Sequence, residues 1–212
     1  MKKTFKQINN NIINVKIVGS KRNNSRYLLD ILLNNESTNT VIVLLLNPSS
    51  TGREHVFFGV PWNMVNDVDA TTKNVISILL RNNSLNQNCF TFDRLIILNL
   101  FSYYSSKPRE LGPIYFKRKP CCFHENIKTI SKTIKNIKAK HVFIGWGNID
   151  TIWQLKVVNK VLNILDNINI KNVQIQTISN KTFIPVPISD LKGFNKSNLT
   201  NGVSPLHGLY WK

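Results

Sequence analysis

The run Val41-Ile42-Val43-Leu44-Leu45-Leu46, followed by Asn47-Pro48-Ser49-Ser50-Thr51-Gly52, decides the fold. Six uninterrupted apolar residues read as a strand buried on both faces, the pattern of parallel strands inside α/β sheets. The Asn-Pro-Ser-Ser-Thr-Gly stretch then breaks the strand sharply into a loop. Two further segments repeat the arrangement: Leu95-Ile96-Ile97-Leu98 ends at Asn99, and His141-Val142-Phe143-Ile144 stops at Gly145-Trp146-Gly147. Residues 11–18 read as an opening strand and 173–178 as a late one. Tyr27, Leu28, Ile31 and Leu32 stand at helical spacing, so residues 26–33 read as a helix. A second helix is expected from Asp69 or Thr71 to about Arg81, with Thr71 as its N-cap. Ile127, Ile130, Ile134 and Ile137 mark a third, whose other face carries Lys128, Lys132, Lys135 and Lys138 and reads as solvated. A long helix is expected over 149–165. Strands alternating with helices predict an α/β/α three-layer sandwich with a mainly parallel central sheet. In such sheets sites form beyond the carboxyl ends of the strands, so the three motif loops should converge on one edge.

The 212 residues are read as one domain, 1–212, with an N-terminal strand/helix extension over 1–35. Lys and Arg number 28 against 11 Asp and Glu, a formal charge of +17. That imbalance attracts polyanions, and although a bias toward Lys, Ile and Asn inflates lysine, it does not explain the scarcity of acids. DNA, single- or double-stranded, is the expected partner of a monomeric chain. No apolar run is long enough for a membrane span, and Met1-Lys2-Lys3 precedes no apolar stretch. A cytoplasmic location and no membrane association are therefore expected. Three cysteines, Cys89 and the vicinal Cys121-Cys122, suit neither a disulfide framework nor a four-cysteine cluster, and read as reduced thiols. Phosphate-binding glycine loops, zinc-ligand spacings and serine-nucleophile elbows are all absent from the sequence. No cofactor, metal or nucleotide cofactor is expected, and the chemistry must fall to few groups: Asn, His and Asp.

The ordered motifs are Leu46-Asn47-Pro48-Ser49-Ser50, Asp67-x-Asp69-x-Thr71 and Leu98-Asn99-Leu100-Phe101 with Leu111-Gly112-Pro113. Then come Glu125-Asn126, Gly145-Trp146-Gly147 and Pro205-Leu206-His207-Gly208-Leu209-Tyr210. Together they resemble the bacterial and phage DUF1643 family over residues 41–211. Two departures stand out: Gly208 replaces the usual proline after the histidine, and a basic insertion loop, 114–124, splits the Gly-Pro from the Glu-Asn. The same skeleton is similar to the uracil-DNA glycosylase superfamily. That resemblance implies a strand-end Asn-Pro that binds water, a second strand-end Asn that reads a base, a Trp-Gly, and a late histidine loop closing on a flipped nucleotide.

Each residue has a structural reading beside the functional one. Asn47 either stabilises an Asx-turn before Pro48 or holds the attacking water through its side-chain carbonyl, the role the resemblance implies. His207 is either a surface histidine or the donor to the oxygen of the departing base. Asn99 either caps the next turn or pairs with a pyrimidine edge. Phe57, Phe58 and Trp62 form a small satellite core or stack the extruded base. Asp67 and Asp69 are helix N-terminal acids or carboxylates facing an oxocarbenium-like sugar. Ser49, Ser50, Lys107, Arg109, Lys117, Arg118, Lys119, Gly208, Leu209 and Tyr210 are candidates for DNA contact. The expectation is a monofunctional DNA glycosylase that leaves an abasic site, with a modified base as target and a role against phage DNA implied by the family setting. A non-catalytic nucleic-acid-binding module and a nucleoside- or nucleotide-acting enzyme are the alternatives.

Overall fold

The computed structural model of the chain describes residues 14–33, 39–51, 53, 68–84, 92–105, 111–117, 120–137, 139–147, 149, 151–176, 182–191 and 208. In chain order the elements are β1 (Asn14–Ser20), β2 (Ser25–Leu32), β3 (Thr40–Leu45), α1 (Ala70–Ser84), β4 (Arg94–Asn99) and α2 (Leu111–Lys117). They continue with α3 (Pro120–Asn136), β5 (Ala139–Gly145), α4 (Ile152–Asn167), β6 (Asn172–Ile175), β7 (Ile184–Pro187) and α5 (Ile188–Leu191). All seven strands join one sheet in the order β1-β2-β4-β3-β5-β6-β7.

The deciding run forms β3, fully buried, and it lies between β4 and β5 with both neighbours parallel. Leu45 is level with Asn99 on one side and with Gly145 on the other, so the three strands end together. Alternate residues of β3 face opposite sides, as a two-residue period requires. Ile42, Leu44 and Leu46 join a cluster with Ile130 and Ile134 of α3 and Val157, Val161 and Leu165 of α4. Val41, Val43 and Leu45 join a second cluster with Val75, Ile76 and Leu79 of α1.

Four expectations are corrected. The sheet is mixed rather than mainly parallel: β1–β2, β2–β4 and β6–β7 pair antiparallel, and these three ladders hold more paired residues than the parallel three. Residues 25–32 form strand β2, not a helix, so the N-terminal extension is a β-hairpin rather than a strand followed by a helix. The apolar residues at 27, 28, 29 and 31 satisfy either period over so short a window. Pairing to β1 on one edge and β4 on the other settles the choice, and a bidentate Arg94–Asp30 ion pair, at 2.9 and 2.6 Å, ties β2 to β4. The basic insertion is not a loop throughout, because α2 runs to Lys117 and α3 starts at Pro120. Proline suits a first helical position, where no N–H is needed. Finally, Asp69 and not Thr71 caps α1, its Oδ1 accepting from the Thr72 N–H at 2.9 Å. Among the described residues no helix is long and apolar enough to cross a membrane.

Candidate functional site

The carboxyl ends of β3, β4 and β5 present Asn47, Asn99 and Trp146-Gly147 at one edge of the sheet. Beyond the ladders the chain of β4 stays on β3: the N–H groups of Leu100 and Phe101 donate to the carbonyls of Leu45 and Leu46 at 2.8 and 2.9 Å. The same segment then turns onto β2, where the Arg26 N–H donates to Ser102 O at 2.7 Å and the Tyr104 N–H to Asn24 O at 3.0 Å.

Asn47 is half-buried, and its Nδ2 donates to Ser105 O at 2.6 Å. That bond orients the amide by its nitrogen, and Oδ1, which accepts no hydrogen bond among the described residues, can accept from a water or a substrate. The following turn is narrow. Thr51 N–H donates to Pro48 O at 3.2 Å, and Ser49 sits at φ 49°, a left-handed conformation uncommon for a side chain. Ser50 is exposed and Ser49 half-buried, so both DNA-contact candidates of this turn are accessible. Thr51 closes the turn onto α1: its hydroxyl bonds Asp69 Oδ2 and accepts from the Asp69 N–H at 2.9 Å. Asp69 thus spends one oxygen on the Thr72 N–H and the other on the Thr51 hydroxyl, which is the helix-terminal reading of that carboxylate.

Asn99 is wholly buried, and its surroundings orient its amide. The nitrogen donates to the Asn47 backbone carbonyl and the oxygen accepts from Arg26 Nη2, each at 3.2 Å. Its amide is thus held between the Asn47 backbone and the Arg26 guanidinium. Arg26 is the residue that sequence reasoning missed. It is fully buried, donates from Nη1 to Thr51 O at 3.0 Å, and has no recorded partner for Nε among the described residues. Burial pulls its guanidinium below the ordinary arginine range, while the Tyr104 phenol and the Asp69 carboxylate oppose that shift. One arginine therefore braces three strand-end features: the Thr51 turn, Asn99 and, through Asn99, the backbone of Asn47. The signal was an arginine beside the apolar run Tyr27-Leu28-Leu29, hidden once that stretch was read as a helix.

Asn126 of the Glu-Asn motif is a clip. It is buried, and its Nδ2 donates to the carbonyls of Asn99 and Leu100 at 3.1 and 2.9 Å. Its neighbour Glu125 accepts from the Tyr27 hydroxyl at 2.8 Å, tying α3 to β2. Trp146 packs into the core, and Gly147 at φ 76° makes the left-handed turn that leads toward α4. Gly208 is buried against the same edge. Its carbonyl accepts from Asn74 Nδ2 at 2.9 Å, and a Cβ there would lie 2.7 Å from Val75 Cγ2 and 3.1 Å from Leu45 Cδ2. The residue after His207 is thereby anchored two positions before Asn47 in β3.

His207, Asp67, Phe57, Phe58, Trp62, Lys107, Arg109, Arg118, Lys119, Leu209 and Tyr210 lie outside the described residues; Lys117 ends α2. Among the described residues no group of three or more His, Cys, Asp or Glu side chains could hold a metal ion.

No curated protein and no solved structure matches the chain. A family model described as "Protein of unknown function (DUF1643)" matches residues 26–185, a span that starts at the buried arginine and stops before the tail motif. With three quarters of its length inside that match, the chain belongs to the DUF1643 family.

Proposed function

We propose that the chain is a monofunctional DNA glycosylase, with the three-layer arrangement and site of the uracil-DNA glycosylase type. The observation that carries this reading is the Asn47 amide, held by Ser105 O with its oxygen left as an acceptor at the shared strand ends. Asn47 Oδ1 holds a water. The water oxygen bonds to C1′ of a flipped nucleotide as the N-glycosidic bond breaks, and the bond's electron pair leaves with the base. The water's proton passes to solvent, the departing base anion takes a proton from solvent, and the products are an abasic site and a free base. A glycosidic bond that breaks dissociatively needs a placed water more than a strong base. His207 donates to the base oxygen as charge builds there, and its neighbour Gly208 packs against Val75 and Leu45 at this edge. Asn99 and Arg26 act as positioning residues behind Asn47. Two clusters on opposite faces of the sheet, one with α1 and the other with α3 and α4, support the three-layer architecture. The charge of +17 supports a polyanionic partner.

The test is direct. The protein is incubated with genomic DNAs of different base chemistry, in single- and double-stranded form, and strand breaks are scored after alkali. Wild type is expected to produce alkali-labile sites. Asn47→Ala and His207→Ala are each expected to slow their formation by ~10²–10³ with DNA affinity retained. A wild-type rate in Asn47→Ala refutes the mechanism. DNA binding without cleavage on any substrate refutes the enzyme and leaves a binding module.

A further inference from the structure

Phe116 near the end of α2 is 71% exposed, and Ile152 at the start of α4 is 76% exposed. Single exposed apolar residues are ordinary. Phe116 differs in its mounting. Tyr115 stacks on Trp153 with centroids 5.0 Å apart and planes 26° from parallel, and the Phe116 ring meets both edge-on at 5.4 and 6.1 Å. Phe101 buttresses the pair from behind, 5.0 Å from Trp153 and 6.4 Å from Tyr115. The Phe101 N–H donates to Leu46 O, so this aromatic block is built onto the residue just before Asn47.

Lysines of α4 stand beside the block. Ile152, Lys156 and Lys160 follow one another at i, i+4 and i+8 on α4, and both lysines are exposed. Lys160 Nζ lies 5.1 Å from the Phe123 ring centre, and Phe123 lies 5.7 Å from Tyr115. Phe116 is followed directly by Lys117-Arg118-Lys119, and the sequence has no Asp or Glu between Glu110 and Glu125 or between Asp150 and Asp166. An exposed aromatic surface with lysines beside it, in stretches of sequence free of acids, matches a ligand that is apolar on its faces and anionic along its spine. Unpaired nucleobases on a phosphate backbone have that chemistry, whereas bases stacked inside a duplex do not offer their faces.

We infer that Phe116, carried on the Tyr115–Trp153 pair, is a stacking platform for an unpaired base beside the candidate site, with Lys156 and Lys160 meeting the adjoining phosphates. The inference rests on the nucleic-acid partner proposed above but not on the glycosylase chemistry.

The test is fluorescence anisotropy of the full chain with a labelled oligothymidylate and with a duplex of equal length, over a range of salt. Phe116→Ala is expected to weaken oligothymidylate binding about tenfold or more, with a smaller effect on duplex. Phe116→Trp is expected to restore it. Because Phe116 is mostly in solvent, neither change should shift the thermal midpoint. Lys156→Gln with Lys160→Gln is expected to flatten the log–log salt slope by about 0.7 per lost contact, while Phe116→Ala leaves the slope unchanged. Wild-type binding to oligothymidylate that Phe116→Ala does not weaken overturns the platform and leaves the nucleic-acid reading standing. A wild type that binds neither oligonucleotide at low salt overturns both. Loss of binding to phosphatidylserine vesicles in Phe116→Ala, with oligothymidylate binding intact, assigns the surface to lipid and overturns the inference.

Discussion

Replacing Asn126 tests how the site is held. Its amide nitrogen serves two buried carbonyls, those of Asn99 and Leu100, at 3.1 and 2.9 Å, from a side chain that is 1% exposed. Asn126→Ala removes both bonds. Each contributes roughly 0.5–1.5 kcal/mol net, and the carbonyls left behind add a desolvation cost. Two terms oppose this: alanine is the better helix former by up to ~0.7 kcal/mol, and Asn126 Oδ1 itself has no recorded partner among the described residues. The balance is a loss of about 2 kcal/mol, or roughly 4–8 °C in thermal midpoint for a chain of this size. Asn126→Asp has the same shape but opposite chemistry, because an ionised carboxylate has no proton for either carbonyl and its charge is buried. Its folded-state pKa should rise above the ordinary value of about 3.9. The folded state then holds the proton more tightly than the unfolded one. Stability is therefore fully present below about pH 4 and is lost as pH rises through the raised value. Denaturant unfolding of the three proteins across the acid-to-neutral range measures this directly. The expected order at neutral pH is wild type, then Ala, then Asp, with Asp alone recovering in acid. An Asp variant as stable as wild type at neutral pH, or one indifferent to pH, refutes the clip.

Three further outcomes are expected. Gly208→Ala places a Cβ 2.7 Å from Val75 Cγ2, and valine in a helix has few other rotamers to move to. An overpacking cost of ~1–3 kcal/mol should push residue 208 off Val75 and Leu45, so limited proteolysis near it should quicken while the global unfolding midpoint moves little. Burial pushes the Tyr104 phenol up to about 12, against the pull of the Arg26 and Arg53 charges. Its contribution to stability is present below about pH 10 and is lost as pH rises through about 12, so Tyr104→Phe should flatten the alkaline limb of the stability profile; an unchanged limb counts against the assignment. Arg26→Met removes a buried charge along with its bonds to Thr51 O and Asn99 Oδ1, so the desolvation relief offsets part of the lost bonding. The change in unfolding free energy should stay within about 2 kcal/mol, while amide chemical shifts at Asn47, Thr51 and Asn99 move; silent shifts there refute the bracing role.

The sequence by itself determined the centre of the fold. An apolar run six residues long, ended by Asn47-Pro48, has one economical home, a strand buried on both faces, and β3 with its parallel neighbours β4 and β5 occupies it. Side-chain period and punctuation are local properties, so the strand ends, α1, α3 and α4 were legible without coordinates, and so was the convergence of the three strand-end motifs on one edge. What the sequence misread depends on partners far along the chain. Residues 25–32 satisfy helical and extended spacing alike, and only pairing to β1 and β4 makes them a strand. That pairing alone puts Arg26 under Asn99 and Thr51. Asn99 reads in sequence as a group for a ligand because it ends a strand. Tertiary packing turned its amide inward, where a buried polar group must find partners and found the Asn47 carbonyl and a guanidinium. Likewise the Glu-Asn motif carries no legible role in the sequence, and it becomes a clip because α3 brings it against the end of β4. The period of a segment is written within that segment, whereas the partner of a buried polar atom is decided by which segments the fold brings within three ångströms of it.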